Sequence, residues 1–353
     1  MVLNGPAAAG GRPDRPERGG ILSRKRDTDY LTISARIHAM ENRMLTRERM
    51  DRMIDARDEG EALKVLSECG YGGADGVSGQ SLEGLLAQAR AETFGEIRGA
   101  IPDPRVADLF QMKYDYHNAK ALVKGEAMGA DARRLLSTGG RYNLELLADG
   151  YQKETLSGVS PAFQRAVQEA RAILKETGDP QRSDVALDRA CFGEMAQLAR
   201  DCKSSFLEGY VRLCIDAANL RTAVRVARME KGSDFLLQVL LPGGNVSEKT
   251  LAAARGEDLG SLFQTGPLAK AAELGAKAAR PAGGPLTAFE RECDNAVTRY
   301  VSDAKRVPFG EETVIAYLYA KEAELTAIRT ILASRRAGLD GAAIRERLRE
   351  TYV

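Results

Sequence analysis

From Phe206 to Gly232 the apolar residues Phe206, Tyr210, Leu213, Ala217, Leu220, Val224 and Ala227 recur at helical spacing. That period, with apolar residues on more than one face, predicts a helix packed on several sides. Polar residues interrupt it at fixed places: Asp216 and Asn219, then Arg221 and Arg225. The same order and spacing occur earlier as Asp115, Asn118, Lys120 and Lys124. Written as a template, both are D-x-x-N-x-[KR]-x-x-x-[KR] among apolar neighbours.

The flanking text repeats as well. Leu135-Leu136 and then Gly139-Gly140 follow the first copy, with Leu144 and Leu147 beyond; Leu240-Leu241 and then Gly243-Gly244 follow the second, with Val246 and Leu251 beyond. Each unit reads as long helix, short helix, double-glycine turn, short helix, which is one supersecondary unit used more than once. A looser third copy runs from Ala316 to Gly338. There Glu324 stands in the place of Asn219 and Arg329 falls near Arg225, with a slip of one residue, so the similarity is at the level of the helix.

The rest of the chain supplies further helix signals. Ile33, Ile37, Met40 and Met44 make one stripe in a helix that begins at Asp27. Asp58 with Glu61 makes a capping box for a helix ending at Gly70, followed by a loop over 72–79. A helix follows from Leu82 to about Ile97. Asp103-Pro104 and Ser160-Pro161 each place a capping side chain before a proline at the first helical position. The next break spans Gly178 to Ser183, with a helix from Asp184 towards Arg200. From Leu259 to Pro285, glycine, alanine and proline suggest a linker with a weak helix inside it. Thr287 with Glu290 reads as a capping box, Pro308-Phe-Gly310 as a break, and Leu339 with Ile344 as a hydrophobic staple around an Asp340 cap.

Composition agrees with helix almost throughout: Trp is absent, β-branched runs are scarce, and Ala, Leu, Arg and Glu are abundant. The chain of 353 residues has room for two or three domains and a sizeable core. Its 51 Lys and Arg against 50 Asp and Glu argue against a nucleic-acid partner, which favours a basic surface. The five cysteines form no C-x-x-C pair, which speaks against a disulfide framework or zinc site and for a reducing cytoplasm. Phe235 to Leu241, the longest apolar run, is too short to cross a bilayer, and no secretory signal is present.

Chemistry is not signposted. No G-x-x-x-x-G-K-[ST] loop or G-x-S-x-G elbow occurs. His38 and His117 lack partners at metal spacing; His38 reads as a boundary residue and His117 as packed against a neighbouring helix. No cofactor, metal or direct nucleotide binding is expected. The double glycines at 72, 139 and 243 are better read as helix terminators than as anion cradles. Asp and Asn three residues apart share one side of a helix. Half-buried, they need partners, most simply a backbone group or an arginine of an adjacent helix. That structural reading is preferred to a polar lining that receives another subunit.

Motifs along nearly the whole chain resemble the C subunit of the V/A-type rotary ATPases, the counterpart of the d subunit in eukaryotic V-type enzymes. They are Tyr30-Leu-x-x-x-Ala-Arg-Ile-x-Ala-Met-Glu, Ala62-Leu-x-x-Leu-x-x-Cys-Gly-Tyr71-Gly, Asp115-x-x-Asn-Ala-Lys-Ala-Leu-Val-Lys124 and Ile215-Asp-x-x-Asn-Leu-Arg-x-x-x-Arg225. Phe289-Glu-x-x-Cys-Asp-Asn295, Ile315-Ala-Tyr-Leu-x-Ala-Lys-Glu-x-Glu324, Ile328-Arg329 and the closing Arg-Leu-Arg-Glu-Thr-Tyr-Val353 complete the set. The resemblance implies an all-α fold: three similar helical domains about a pseudo-threefold axis, forming a funnel. The domains are expected over 28–150, 151–265 and 286–353, with 266–285 as linker and the N-terminal helix allowed to pack on the third. Residues 1–27 fall outside the resemblance and read as a disordered extension, or as a basic docking tail through Arg24, Lys25 and Arg26.

The implied function is a non-catalytic connector, cytoplasmic and peripheral to the membrane. It would couple the central-stalk subunits to the membrane proteolipid ring, and so ATP turnover to proton or sodium transport. The competing class is a helical-repeat adaptor with no rotary role. Units of roughly a hundred residues count against it, because common helical repeats span roughly 34 to 47.

Overall fold

A computed structural model describes residues 25–72, 81–280 and 283–353. The first 24 residues of the expected extension and residues 73–79 of the expected loop lie outside the described residues. Among the described residues the fold is all-helical, with sixteen α-helices and no strand.

Four helices open the chain: α1 (Leu31–Glu41), α2 (Arg47–Asp55), α3 (Glu59–Glu68) and α4 (Leu82–Ala100). A 3-10 turn over Asp27–Tyr30 precedes α1, and the expected stripe is interrupted before Met44 because α1 stops at Glu41. Asp58 caps α3 by accepting from the Glu61 N–H at 2.8 Å. The return bond misses its expected target: Glu61 Oε2 accepts from the Arg57 N–H at 2.7 Å. Gly70, at φ +87°, turns the chain out of α3 in the left-handed region that favours glycine.

The middle comprises α5 (Arg105–Met128), α6 (Leu144–Gln152), α7 (Pro161–Thr177) and α8 (Pro180–Cys202). Ser160 caps α7 as expected. The break after it is shorter than the sequence suggests. Gly178 ends α7 in the left-handed conformation, and Asp179 at once caps α8 by accepting from the Gln181 N–H at 2.9 Å.

Next come α9 (Ser205–Arg228), α10 (Ser233–Val239), α11 (Glu248–Ala253), α12 (Leu259–Leu262), α13 (Ala269–Ala278) and α14 (Thr287–Ser302). The small side chains that suggest a linker instead let α13 press against its neighbours: Ala271, Ala272 and Gly275 are buried between α9 and α14. No side chain caps α14, so Thr287 and Glu290 form no capping box. Asp340, by contrast, accepts from the Ala343 N–H at 2.7 Å at the start of the last helix.

The chain ends with α15 (Glu311–Arg336) and α16 (Gly341–Arg347). The longest helices, α5, α9 and α15, organise the rest. α7 and α8 pack on α5, across the boundary expected near residue 150. α13 and α14 pack on α9, while α1, α2, α4 and α16 pack on α15. One hydrophobic core joins α5 to α14 and takes in α1 and the first half of α15. A second core unites Leu45, Met53, Leu66 and Leu86 from the start of the chain with Leu325, Ile328, Ile331 and Ile344 from its end.

The long helices meet near their N-terminal ends. The Phe110 and Tyr210 rings lie 5.5 Å apart and the Tyr210 and Tyr319 rings 6.0 Å apart, one ring from each helix.

Candidate functional site

The repeated polar residues lie at the same station on α5 and α9, and all four are buried: Asp115, Asn118, Asp216 and Asn219. The Asn118 carboxamide accepts from the Ser137 N–H at 2.7 Å and donates to the Ser137 carbonyl at 3.0 Å. Asn219 treats Leu241 in the same way, at 2.8 Å in both directions. A carboxamide carries one acceptor and one donor side by side, so it can pair both polar groups of one loop residue as another peptide would. That is the physical reason for asparagine here.

Each aspartate takes the following turn of the same loop. Asp115 accepts from the Arg141 N–H at 2.8 Å and from Arg141 Nε at 2.6 Å. Asp216 accepts from the N–H and side-chain amide of Asn245, at 3.1 and 2.8 Å, and from the Val246 N–H at 3.2 Å. Burial pushes both carboxyls above the usual aspartate value, against the pull of these donors.

The double glycines at 139 and 243 belong to this arrangement and do not end helices. A Cβ on Gly140 would lie 3.2 Å from Asp115 Cγ and overlap its Oδ1; one on Gly244 would overlap Asp216 Oδ1. The first glycine of each pair has a different reason. Gly139 faces the Tyr114 ring, at 2.7 Å for an added Cβ, whereas Gly243 sits at φ +96°.

The basic residues of the template form a second repeated device. Lys120 and Lys124 of α5 pair with Asp188 and Asp184 of α8, at 2.5 and 2.6 Å. Arg221 of α9 pairs with Asp294 of α14, and Arg225 with Glu290 at 2.6 Å. Both sets run antiparallel, with acceptors four residues apart on one helix face. The spacings D-x-x-x-D and E-x-x-x-D are the sequence signal for these acceptors, which the template alone does not include.

On α15, Glu324 accepts from the Leu45 N–H at 2.8 Å, from Lys321 Nζ at 2.8 Å and from the Tyr71 hydroxyl. It therefore anchors a backbone N–H ahead of α2, as the asparagines do ahead of α6 and α11. A carboxylate has no donor for the carbonyl, so the two-way clamp is reduced here to its accepting half. Arg329 makes a two-pronged pair with Glu83 of α4, at 2.8 and 2.7 Å. Glu322, which the repeat template does not include, is the buried centre between α4, α5 and α15. It accepts from Arg90 Nε and Lys113 Nζ, both at 2.9 Å, and from the Tyr114 hydroxyl.

The histidines take no part. His38 bridges Glu41 and the Pro308 carbonyl at 3.0 and 3.2 Å. His117 is exposed beside the Leu135 carbonyl at 3.4 Å and is not packed against a helix. Among the described residues no group of His, Cys, Asp or Glu could hold a metal ion, and no helix is long and apolar enough to cross a membrane.

The geometry defines an all-helical repeat scaffold whose polar residues hold loops and neighbouring helices. Residues 33–347 match the ATP synthase (C/AC39) subunit family, and the chain belongs to that family. It is thus a component of a V/A-type rotary ATPase complex. The chain is 24% identical over 329 residues to the C subunit of the V-type sodium ATPase of Enterococcus hirae, covering 92% of this chain and 99% of that protein. It is 26% identical to the C subunit of the V-type ATP synthase of Thermus thermophilus, covering 90% and 98%. It is 24% identical to the C subunit of the A-type ATP synthase of Thermococcus gammatolerans, covering 86% and 85%.

Proposed function

We propose that this chain is the non-catalytic connector between the central stalk and the membrane proteolipid ring of its complex. In this reading three helix groups surround a pseudo-threefold axis and form a funnel. The groups are α5–α8, α9–α14, and α15–α16 with α1–α4. The stalk enters the mouth and the ring meets the opposite end, so that torque passes through the helix walls. Loops near Gly139 and Gly243 form the rims, because loops on a rigid scaffold commonly carry binding. The chain sits at the cytoplasmic face, and the ring carries the transported proton or sodium ion.

One observation supports this reading most. α5 and α9 hold their loops through the same Asp–glycine contact and the same two-way Asn clamp, and Glu324 occupies the corresponding station on α15. A unit used twice in full, with a matching backbone anchor on the third converging helix, suits a connector.

The polar stations serve the fold. Asp216→Ala is therefore expected to lower stability by on the order of 1–3 kcal/mol, the penalty for removing a buried acceptor from the part-buried donors at Asn245 and Val246. A stalk pull-down with the folded variant should succeed. An unchanged melt with lost stalk capture would instead assign Asp216 to the mouth. Co-purification of the tagged chain with proteolipid ring subunits tests the connector itself, and capture of stalk subunits without the ring would reject it.

The isolated chain is also expected to bind no Mg-ATP, since its sequence carries no phosphate loop. Titration calorimetry giving a saturable isotherm in the micromolar range would contradict this.

A further inference from the structure

The end of the chain crosses the place where the three long helices meet. Beyond Arg347, residues 348–353 run without helix or strand. They line a cavity of about 280 Å³ shared with Phe110 of α5, Tyr210 of α9 and Tyr319 of α15. Leu348 is buried in the second core and Tyr352 in the first, with Arg349, Glu350 and Thr351 spanning the gap between them.

This segment is held mainly by α14 and the turn after it. Arg349 Nε donates to Asp294 Oδ2 at 2.9 Å, and the Glu350 N–H donates to Asn295 Oδ1 at 2.9 Å. Arg299 Nη1 donates to Glu350 Oε1 at 2.8 Å. Lys305 donates to the Tyr352 carbonyl and lies 4.5 Å from the centre of its ring.

The charged anchors each keep another partner. Asp294 Oδ1 accepts from Arg221, which leaves Oδ2 for Arg349. Arg299 Nη2 donates to Glu292 at 2.6 Å, which leaves Nη1 for Glu350. Removing the segment therefore orphans neither Asp294 nor Arg299. Its own ion pairs are part-exposed, where such pairs contribute little. A switching element needs two arrangements that are both satisfied; on release Asp294 and Arg299 keep their partners, whereas buried Asn295 Oδ1 and the core site of Tyr352 need a replacement, which an incoming segment would supply.

We propose that residues 349–353 form a releasable strap that closes the central cavity in the free protein and yields to a stalk segment of like chemistry. The strap itself states that chemistry. It places an aromatic side chain against the cavity and a carboxylate against Arg299. An incoming segment with an aromatic or large aliphatic residue beside an acidic one meets the same anchors. This rests on the connector reading given above.

The test compares the full chain with one ending at Leu348. Hydrogen exchange in the full chain should show residues 349–353 opening about 100-fold more often than 290–299 of α14. Truncation should leave the exchange of 290–299 unchanged and raise the association rate with central-stalk subunits about tenfold. A synthetic Arg-Glu-Thr-Tyr-Val peptide should bind the truncated chain and slow that association again. Faster exchange in α14 on truncation would make the segment a brace and overturn the proposal, as would an equal or slower association rate. Peptide binding with no stalk capture by either chain would overturn the stalk as occupant and the connector reading with it. Failure of the peptide alone to bind would overturn only the strap.

Discussion

Replacing Glu322 by alanine is expected to destabilise the protein by about 3–5 kcal/mol, the usual cost of breaking a buried ion pair from one side. Glu322 and Arg90 side chains are 7% and 8% exposed. Alanine would leave the Arg90 guanidinium buried between α4 and α15 with its charge uncompensated. Lys113, 49% exposed, can turn to water, so the cost centres on Arg90 and the Tyr114 hydroxyl. Urea unfolding measures it, and a loss below about 1 kcal/mol, the range of an exposed pair, would refute the assignment.

The same residue sets a pH dependence. Burial opposes ionisation of Glu322, but the charges of Lys113 and Arg90 and the Tyr114 hydrogen bond hold its carboxyl below the usual value. A folded-state pKa below the unfolded one adds stability that is fully present above the unfolded value, about 4.3, and fades as pH falls through the folded one. The gap between wild type and Glu322→Ala should therefore be widest near neutrality and shrink in that acid window. A gap independent of pH would show that packing, not charge, carries the effect.

Gly244→Ala is expected to cost about 3 kcal/mol, the upper end of ordinary overpacking. The added methyl would overlap Asp216 Oδ1 and lie 3.3 Å from Ile215 Cγ2. Asp216 cannot retreat without releasing the donors of Asn245 and Val246. The double variant with Asp216→Ala is diagnostic. Truncating the aspartate opens the space that the methyl needs, so the pair should cost less than the sum by on the order of 1–3 kcal/mol, as for residues in contact. Additive costs would mean that the glycine serves backbone conformation alone. Gly140→Ala should behave similarly against Asp115, which gives an internal replicate in the other unit.

The helices and the repeat are legible in the sequence because both rest on local periodicity. The Asp and Asn stations stand out for the same reason, and their backbone partners follow in kind, but the arginine on Asp115 comes from the loop and not from an adjacent helix. Two things are hidden. The function of the second glycines depends on a carboxylate 25 and 28 residues earlier in the chain, as the positions of Asp115, Gly140, Asp216 and Gly244 show. No local pattern separates that close approach from a helix cap. Glu322 escapes a sequence reading because its partners Arg90 and Lys113 lie more than 200 residues away. The helix over Ala269–Ala278 is underrated for a third reason. Alanine and glycine together read as a linker, yet they permit the close helix contact that buries it.

The second core joins the two ends of the chain, and this fixes an order of events during synthesis. Leu45 is bonded to Glu324 across 279 residues, and Leu66 and Leu86 share a core with Ile328 and Ile331. α2, α3 and α4 leave the ribosome early, but α15, which covers them, is made more than 200 residues later. At roughly 5–20 residues per second, their apolar faces wait on the order of 15–60 s for α15. The groups built on α5 and α9 have no such delay, because their partners follow within the same stretch of chain. The nascent protein therefore passes through a stage with two thirds of its scaffold able to close and its first-made helices still uncovered. That stage is where a chaperone would find its substrate, and where a stalled or truncated chain would aggregate.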